Sequence, residues 1–552
     1  MNNAKKTRMV INIPVRPVGV VLLLMGLFSS VSQVAVAQLD HPKATKARKA
    51  ANGSVTPSVR LRNFTADGKQ LTRFDAVGDA IDAHDGEIAH FRGTYYLYGT
   101  SYDCGFAWQN KKAPFCGFKV YSSPDLVNWT DQGYLFDAKT PVWQTRCNGN
   151  TYGCFRPHVI FNQKTNQYVL WINVYDNKVG FRVFTSSSPT GPFNEVAQPT
   201  LAVNRDAPVA GLNNGDHDTF VDEDGTAYLA YTDWRAKGAI VIEQLTPDYL
   251  SGTNRFVKDV TKEKTEAPGL FKRRGIYYIT YSDPNCGYCS GTGTSYRTAS
   301  SPLGPWSEGR KISDNSCGGQ PSFVFTIQLA NDSLFLYGSD LWNNAARNEA
   351  LANYFWAPLT FNDDGSIQPI ACEQTPALSI RVGQPDKRMA NRPTNRSVSD
   401  QSALDYTIGC DIAHNHAQSQ TFTASQTGLL SAVSVTAYKK DNPDAALELA
   451  IFSEKDASGS TARPLYSTSL PADSISWAAR NRFIQPNLRV SAGQRYVLRV
   501  SSAASVGCYG LAYATGETSI GRGTPGRGND DVSRAHEAKR TLKFQTVIQA
   551  KK

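Results

Sequence analysis

Short apolar runs with aromatic centres, each broken off by turn residues, mark the first two thirds of the chain. Five of them stand out: Thr94-Tyr95-Tyr96-Leu97-Tyr98, Gln167-Tyr168-Val169-Leu170-Trp171, Ala227-Tyr228-Leu229-Ala230-Tyr231, Ile276-Tyr277-Tyr278-Ile279-Thr280 and Leu334-Phe335-Leu336-Tyr337. Their centres Tyr96, Tyr168, Tyr228, Tyr278 and Leu336 are spaced by 72, 60, 50 and 58 residues. A turn signal and a shorter apolar run precede each core, as at Arg92-Gly93, Asp224-Gly225 and Arg274-Gly275, and a further strand and a second turn follow. Four short strands per unit at this period predict propeller blades, and five units close a ring. No amphipathic helical stretch competes. The expected fold is all-β: a five-bladed β-propeller over residues 57–380.

Beyond it, residues 381–404 read as a linker rich in Pro, Asn, Arg and Ser. Period-2 stretches such as Leu430–Ala437, Ala446–Ser453 and Arg495–Val500 then predict a jelly-roll-like β-sandwich over 405–552. At the other end, Lys5, Lys6, Arg8 and Arg16, the apolar Val18–Phe28 and Ala35-Val36-Ala37 read as a secretory signal over 1–37. A basic flexible segment, 38–56, follows. The protein is therefore expected outside the cytoplasm, extracellular or periplasmic, with no membrane contact once the signal is cleaved.

Charge changes the picture less than its total suggests. The formal net charge is +10, but much of the excess lies in the leader and the segment after it, which argues against a nucleic-acid-binding face. The 10 Cys suit an oxidising compartment. Cys104/Cys116 and Cys147/Cys154 read as local loop staples, and Cys410/Cys508 as a tie within the C-terminal region. Cys286-Gly287-Tyr288-Cys289 reads as a structural bridge rather than a redox pair, because no thioredoxin-like βαβ context surrounds it. No second CxxC or paired His at ligand spacing marks a zinc site.

Candidate chemistry lies just before the aromatic cores, where the inner strands of a propeller meet. Asp85 precedes Tyr96 by eleven residues, Asp218 precedes Tyr228 by ten and Glu266 precedes Tyr278 by twelve. Three acids at nearly one offset, from three blades, are expected to face one another. Hydrolysis of a glycosidic bond needs such a set: one carboxylic acid protonates the leaving oxygen and an ionised one activates water or attacks the sugar. A third negative charge nearby raises the pKa of the acid.

At these residues the chain resembles the family 43 glycoside hydrolases, five-bladed propeller enzymes that invert anomeric configuration. Asp218-Thr219-Phe220-Val221-Asp222-Glu223-Asp224-Gly225 resembles the segment of the pKa modulator, Glu266-Ala267-Pro268-Gly269-Leu270-Phe271 that of the acid, and Asp85 stands where the family places its base. The resemblance implies Asp85 as base, Glu266 as acid and Asp218 as modulator. Ala83-His84-Asp85-Gly86-Glu87 and Arg156-Pro157-His158-Val159-Ile160-Phe161-Asn162 are similar to segments of the exo-β-1,3-galactanase branch. Gln320 matches the Gln that this branch uses in place of an Asp base. Two departures matter: Asp85 restores a carboxylate where that branch has Gly, and Phe155 replaces the Glu that usually precedes Arg-Pro. Asp85, Glu87 and Gln320 are thus all candidates for the base.

His84, Glu87, Phe155, Arg156, Gln320, Trp234 and Trp342 complete the expected sugar pocket; Trp108, Trp143 and Tyr288 are further candidates for stacking on a sugar. The family often carries a central cation, usually calcium, but no dense oxygen-ligand motif marks one here, and no cofactor is required. The expectation is a monomeric, secreted, inverting and exo-acting hydrolase of a plant cell-wall polysaccharide or its oligosaccharides, with β-1,3-galactan or arabinogalactan as first choice. α-L-arabinofuranosides and β-xylosides are the alternatives within the family, and a non-catalytic propeller lectin is the alternative outside it. The C-terminal module is expected to bind carbohydrate or to stabilise the chain.

Overall fold

A computed structural model describes residues 8–12, 36–40, 58–65, 68–107, 112–175, 180–202, 215–262, 264–283, 291–329, 333–342, 348–372, 378–381, 406–457, 463–514 and 541–550. The apolar part of the leader, the linker, Trp108, Tyr288, Cys286 and Cys289 lie outside these residues. The chain divides into two compact units, residues 1–63 with 82–392, and residues 64–81 with 393–552. Among the described residues no helix is long and apolar enough to cross a membrane.

Besides a small mixed sheet of residues 8–12, 36–40, 58–61 and 378–381, the first unit carries five antiparallel sheets in chain order. Blade 1 is β1 (His84–Phe91), β2 (Thr94–Thr100), β3 (Phe118–Ser123) and β4 (Thr130–Tyr134). After the short helix α1 (Pro141–Cys147), blade 2 is β5 (Cys154–Asn162), β6 (Gln167–Val174), β7 (Arg182–Ser186) and β8 (Asn194–Ala197). Blade 3 is β9 (His217–Val221), β10 (Ala227–Asp233), β11 (Ala239–Leu245) and β12 (Gly252–Val257). Blade 4 is β13 (Glu266–Arg273), β14 (Ile276–Ser282), β15 (Thr294–Ala299) and β16 (Arg310–Ser313). Blade 5 has three strands, β17 (Gln320–Gln328), β18 (Ser333–Leu341) and β19 (Asn353–Pro358).

Each sheet runs as a meander, and the five aromatic cores form the second strand of each blade. The innermost strands β1, β5, β9, β13 and β17 pack in sequence, and β17 returns to β1, closing the ring. This is the five-bladed β-propeller that the repeat predicts.

Apolar side chains between blades hold the ring. Tyr98 and Val120 of blade 1 pack with Val159, Leu170 and Phe184 of blade 2. Trp171 and Val183 of blade 2 meet Leu229 and Tyr231 of blade 3, and Ile240 and Ile242 of blade 3 meet Leu270 and Ile279 of blade 4. Burial of large apolar surface on both faces of a sheet explains why the second strands read as continuous apolar runs rather than as an alternation. Asn63 clasps blade 5: its amide donates to the Trp356 carbonyl at 2.9 Å and its oxygen accepts from the Trp356 N–H at 2.9 Å.

In the second unit, β20 (Tyr406–Ile412), β28 (Cys508–Ala514), β22 (Gly428–Lys440) and β25 (Arg480–Ile484) lie side by side in one sheet. β26 (Leu488–Val490) and β30 (Phe544–Ala550) add to β22, and β29 (Thr541–Leu542) adds to β28. A second sheet runs β21 (Ala417–Thr423), β27 (Arg495–Ser501), β23 (Leu447–Ser453) and β24 (Tyr466–Leu470). Leu430, Val433, Leu449, Leu498 and Leu511 from the two sheets share one core, which makes the unit a β-sandwich. Residues 64–81 belong to this unit. The Asp79 carboxylate accepts from the Asn481 N–H at 2.6 Å and pairs with Arg480 at 3.3 Å, and Lys543 donates to the Gly78 carbonyl at 2.9 Å.

The three disulfides expected within the described residues are present: Cys104–Cys116, Cys147–Cys154 and Cys410–Cys508. Cys317–Cys372 is a fourth and staples residues flanking blade 5.

Candidate active site

Irregularities of the inner strands shape the site. In β1 the register shifts between His84 and Glu87, so Asp85 and Gly86 together oppose one residue of β2. Such a bulge bends the strand and re-aims a side chain. Asp85 takes the left-handed conformation (φ 54°). Gly86 has no substitute there, since a Cβ would lie 2.1 Å from the Tyr98 carbonyl oxygen. β5 shifts likewise between Phe155 and His158, with Arg156 at φ 55°, and β13 between Glu266 and Gly269, with Ala267 at φ 51°. β9 stays regular.

These bends gather a mouth layer of charge around Arg156. Its guanidinium donates to Asp216 Oδ2 at 2.6 Å and to the Pro321 carbonyl at 3.1 Å, and its charge also acts on Asp85 and Asp340. Asp85 is 6% exposed and accepts from the Thr100 hydroxyl at 2.7 Å and the Tyr102 hydroxyl at 3.1 Å. Burial pushes its carboxyl up to about 7, against the pull of Arg156 and the Thr100 hydrogen bond. Glu266 accepts from the Gln320 amide at 3.2 Å. Burial, and then the charge of Asp216, raise its carboxyl to about 7, while Arg156 and the Gln320 hydrogen bond oppose this.

Deeper along the same strands lies a second layer: Glu87, His158 and Asp218, all buried. One oxygen of Glu87 accepts from the Val159 N–H, and one of Asp218 from the Leu270 N–H. Their other oxygens lie 3.6 Å and 3.1 Å from His158 Nδ1. Glu87 and Asp218 also line a cavity of about 480 Å³ further down the channel, walled by Phe91, Phe161, Phe220 and Phe325.

Glu87, His158 and Asp218 present donor atoms within 4.8 Å of one another. One imidazole beside two carboxylates departs from the all-oxygen set that calcium takes. Both carboxylates are already engaged with backbone N–H groups, and no step of the chemistry is routed through a metal.

The sequence-predicted residues therefore divide. Asp85, Arg156, Glu266 and Gln320 come together at the mouth. Asp218 does not join them; it bonds within the deeper layer, and Asp216 takes the place beside Arg156 and Glu266. Glu87 likewise lies deep, held by blade 2, rather than among the mouth groups. His84 is fully buried, stacked on Tyr354 at 4.9 Å and lying between Asp82 and Asp340. Trp342 is buried and packs on His84 and Tyr102. Phe155 packs between Phe106 and Tyr175. Trp234 is half-buried at the end of β10 and bonds with Tyr175, which feels the charges of Asp216 and Glu266. Trp143 lies in the blade 1–2 core against Phe136 and Phe184.

Sequence reasoning missed Asp216, Thr100, Tyr102, Tyr175 and Asp340. A signal for the first existed: Asp216 precedes Tyr228 by twelve residues, the same offset that Glu266 keeps from Tyr278.

Residues 79–321 match the model of glycosyl hydrolases family 43. A β-D-galactofuranosidase of Aspergillus niger is 28% identical over 299 residues, 52% of this chain and 82% of that protein. An arabinoxylan arabinofuranohydrolase of Bacillus subtilis is 24% identical over 358 residues, 56% of this chain and 67% of that protein. Among solved structures, an exo-β-1,3-galactanase from Clostridium thermocellum is similar, with a TM-score of 0.48 and 25% identity, over 57% of this chain and 66% of that one. The propeller of this chain is that of family 43 of the glycosyl hydrolases, and the protein is a glycosidase that cleaves O-glycosyl bonds.

Proposed function

We propose that this glycosidase inverts configuration, with Glu266 as general acid, Asp85 as general base and Asp216 as the charge that keeps Glu266 protonated. The observation that carries the reading is the grouping of Asp85, Asp216 and Glu266 around one Arg156. Glu266, raised to about 7, retains its proton near neutrality and can pass it to the leaving oxygen. Asp85 is anchored by Thr100 and Tyr102 and, once ionised, takes a proton from the attacking water. Arg156 balances Asp216 and Asp85, so that three acids share one channel mouth.

The substrate is a terminal furanoside, galactofuranose or arabinofuranose, released from a polysaccharide by the secreted enzyme. Asp85 supports this against the first expectation of β-1,3-galactan, because the galactanase branch has Gly at that place. The galactofuranosidase and arabinofuranohydrolase relatives point the same way. The galactan reading is the second, favoured by Gln320, which lies against the Glu266 carboxyl. Release of monosaccharide from galactofuranan, arabinan, arabinoxylan and β-1,3-galactan decides. Galactose or arabinose from one of the first three, lost in Glu266→Gln, is expected. Galactose from β-1,3-galactan alone would overturn the furanoside reading.

A further inference from the structure

The bulge that aims Asp85 leaves its backbone in need of a partner. Within β1 the shift of register removes the strand acceptor for the Asp85 N–H, and a buried N–H without an acceptor is costly. The acceptor comes from another blade. Asp340, near the end of β18, takes the Asp85 N–H on Oδ2 at 2.9 Å. The Ser322 hydroxyl of β17 donates to the same oxygen, and Oδ1 lies 3.4 Å from His84 Nδ1. Asp340 is 2% exposed, faces no solvent and is too deeply packed to meet a sugar.

From these contacts we infer that Asp340 is the positioning residue of the base: its carboxylate pins the left-handed backbone of Asp85 and thereby the direction of the Asp85 carboxyl. The inference rests on Asp85 being the base. Three features make the tie specific. A non-glycine residue at φ 54° relaxes unless its surroundings hold it. Gly86 admits no side chain, so the turn cannot shift towards β2. The tie also spans the closure of the ring, from blade 5 to blade 1, so that packing of the last blade on the first sets the angle of a reacting group.

Asp340 adds charge as well as geometry. The charged and titratable groups that face Asp85 are Arg156 from β5, Asp216 ahead of β9, Asp340 from β18, and Tyr102 from blade 1. Of these, Asp340 and Asp216 raise the Asp85 carboxyl and Arg156 lowers it. An Asn in place of Asp340 keeps one oxygen for both the Asp85 N–H and the Ser322 hydroxyl and turns its NH2 to the His84 side, preserving the tie while removing charge. An Ala removes both.

The test compares Asp340→Ala, Asp340→Asn, Asp85→Asn and, as a control, Glu243→Gln, a buried acid of blade 3 that holds the Ala202 and Asn254 N–H groups. kcat, KM, the pH profile of kcat/KM and the melting temperature are measured on the full chain. Asp340→Ala is expected to lower kcat ~100-fold with KM changed by less than roughly twofold, the scale of a misplaced reacting group. Asp340→Asn is expected to recover most of kcat and to move the acid limb to lower pH. Glu243→Gln should leave kcat and the acid limb at wild-type values, whatever its melting temperature. An Asp340→Ala variant that folds with wild-type kcat overturns the inference. If Asp340→Ala does not fold, Asp340→Ser, which also withdraws the acceptor from the Asp85 N–H, is read for kcat in its place. Full activity of Asp85→Asn would instead refute Asp85 as base, whereas its loss beside unaffected Asp340 variants refutes only the positioning.

Discussion

Two layers of the propeller channel invite comparison. Blades 1, 2 and 3 each place one polar residue at the mouth and another two positions on: Asp85 and Glu87, Arg156 and His158, Asp216 and Asp218. In blades 1 and 2 the first of each pair lies in a bulge and the second just beyond it; in blade 3 Asp216 precedes β9 and Asp218 lies within it. At the mouth, three acids share a single guanidinium, and two of them, Asp85 and Glu266, are pushed up to about 7 by burial. In the deeper layer each carboxylate spends one oxygen on a backbone N–H of the next blade, and His158 lies between the other two oxygens. Residue types of the same sort are thus proposed to serve chemistry in one layer, and they join blades in the other. Position along the channel, not burial, separates them.

Substitutions that cross the two layers test this division. The largest effect belongs to Glu266→Gln, expected to lower kcat by about 10³-fold or more on unactivated glycosides, and much less on substrates whose leaving group needs no proton. Next, Asp85→Asn should cost about 10²–10³-fold in kcat, whereas Glu87→Gln in the deeper layer should cost under tenfold by the same assay. Equal losses would erase the distinction between layers.

Asp216→Asn should act chiefly through pH. With Glu266 as the proposed acid, its protonated form is the active one, so wild-type activity is expected to fall as pH rises through about 7. The Asp216 carboxylate helps to hold that value up. Its removal is expected to move the alkaline limb of kcat/KM to lower pH, and Asp218→Asn to leave the limb in place.

The smallest catalytic effect is expected from His158→Ala, whose cost is structural. Removing one partner of a buried ionic group costs ~3–5 kcal/mol, read as a lower melting temperature with the alkaline limb unchanged.

Much of this architecture is legible in the amino-acid sequence. Five aromatic cores, their turn signals and their spacing predict the blades, because a second strand buried on both faces must be apolar throughout. The offset of acids from those cores finds Asp85 and Glu266. It fails at blade 3, where Asp216 and Asp218 lie two positions apart and a period of two cannot tell mouth from depth. Glu87 fails for the same reason. His84 and Trp342 look like sugar contacts because they neighbour the acids in sequence or space, yet both are buried in an aromatic cluster with Tyr102 and Tyr354.

Local periodicity, turn chemistry and residue spacing are enough to specify the repeat, the sandwich core, three of the disulfides and two of the acids that gather around Arg156. Which acid stands beside Glu266, and what holds Asp85 in place, are settled only in the folded ring. Both depend on β-bulges and on partners such as Arg156, 60 residues from Asp216, and Asp340, 255 residues from Asp85. Closure of the ring brings such partners together, and no pattern along one strand records it.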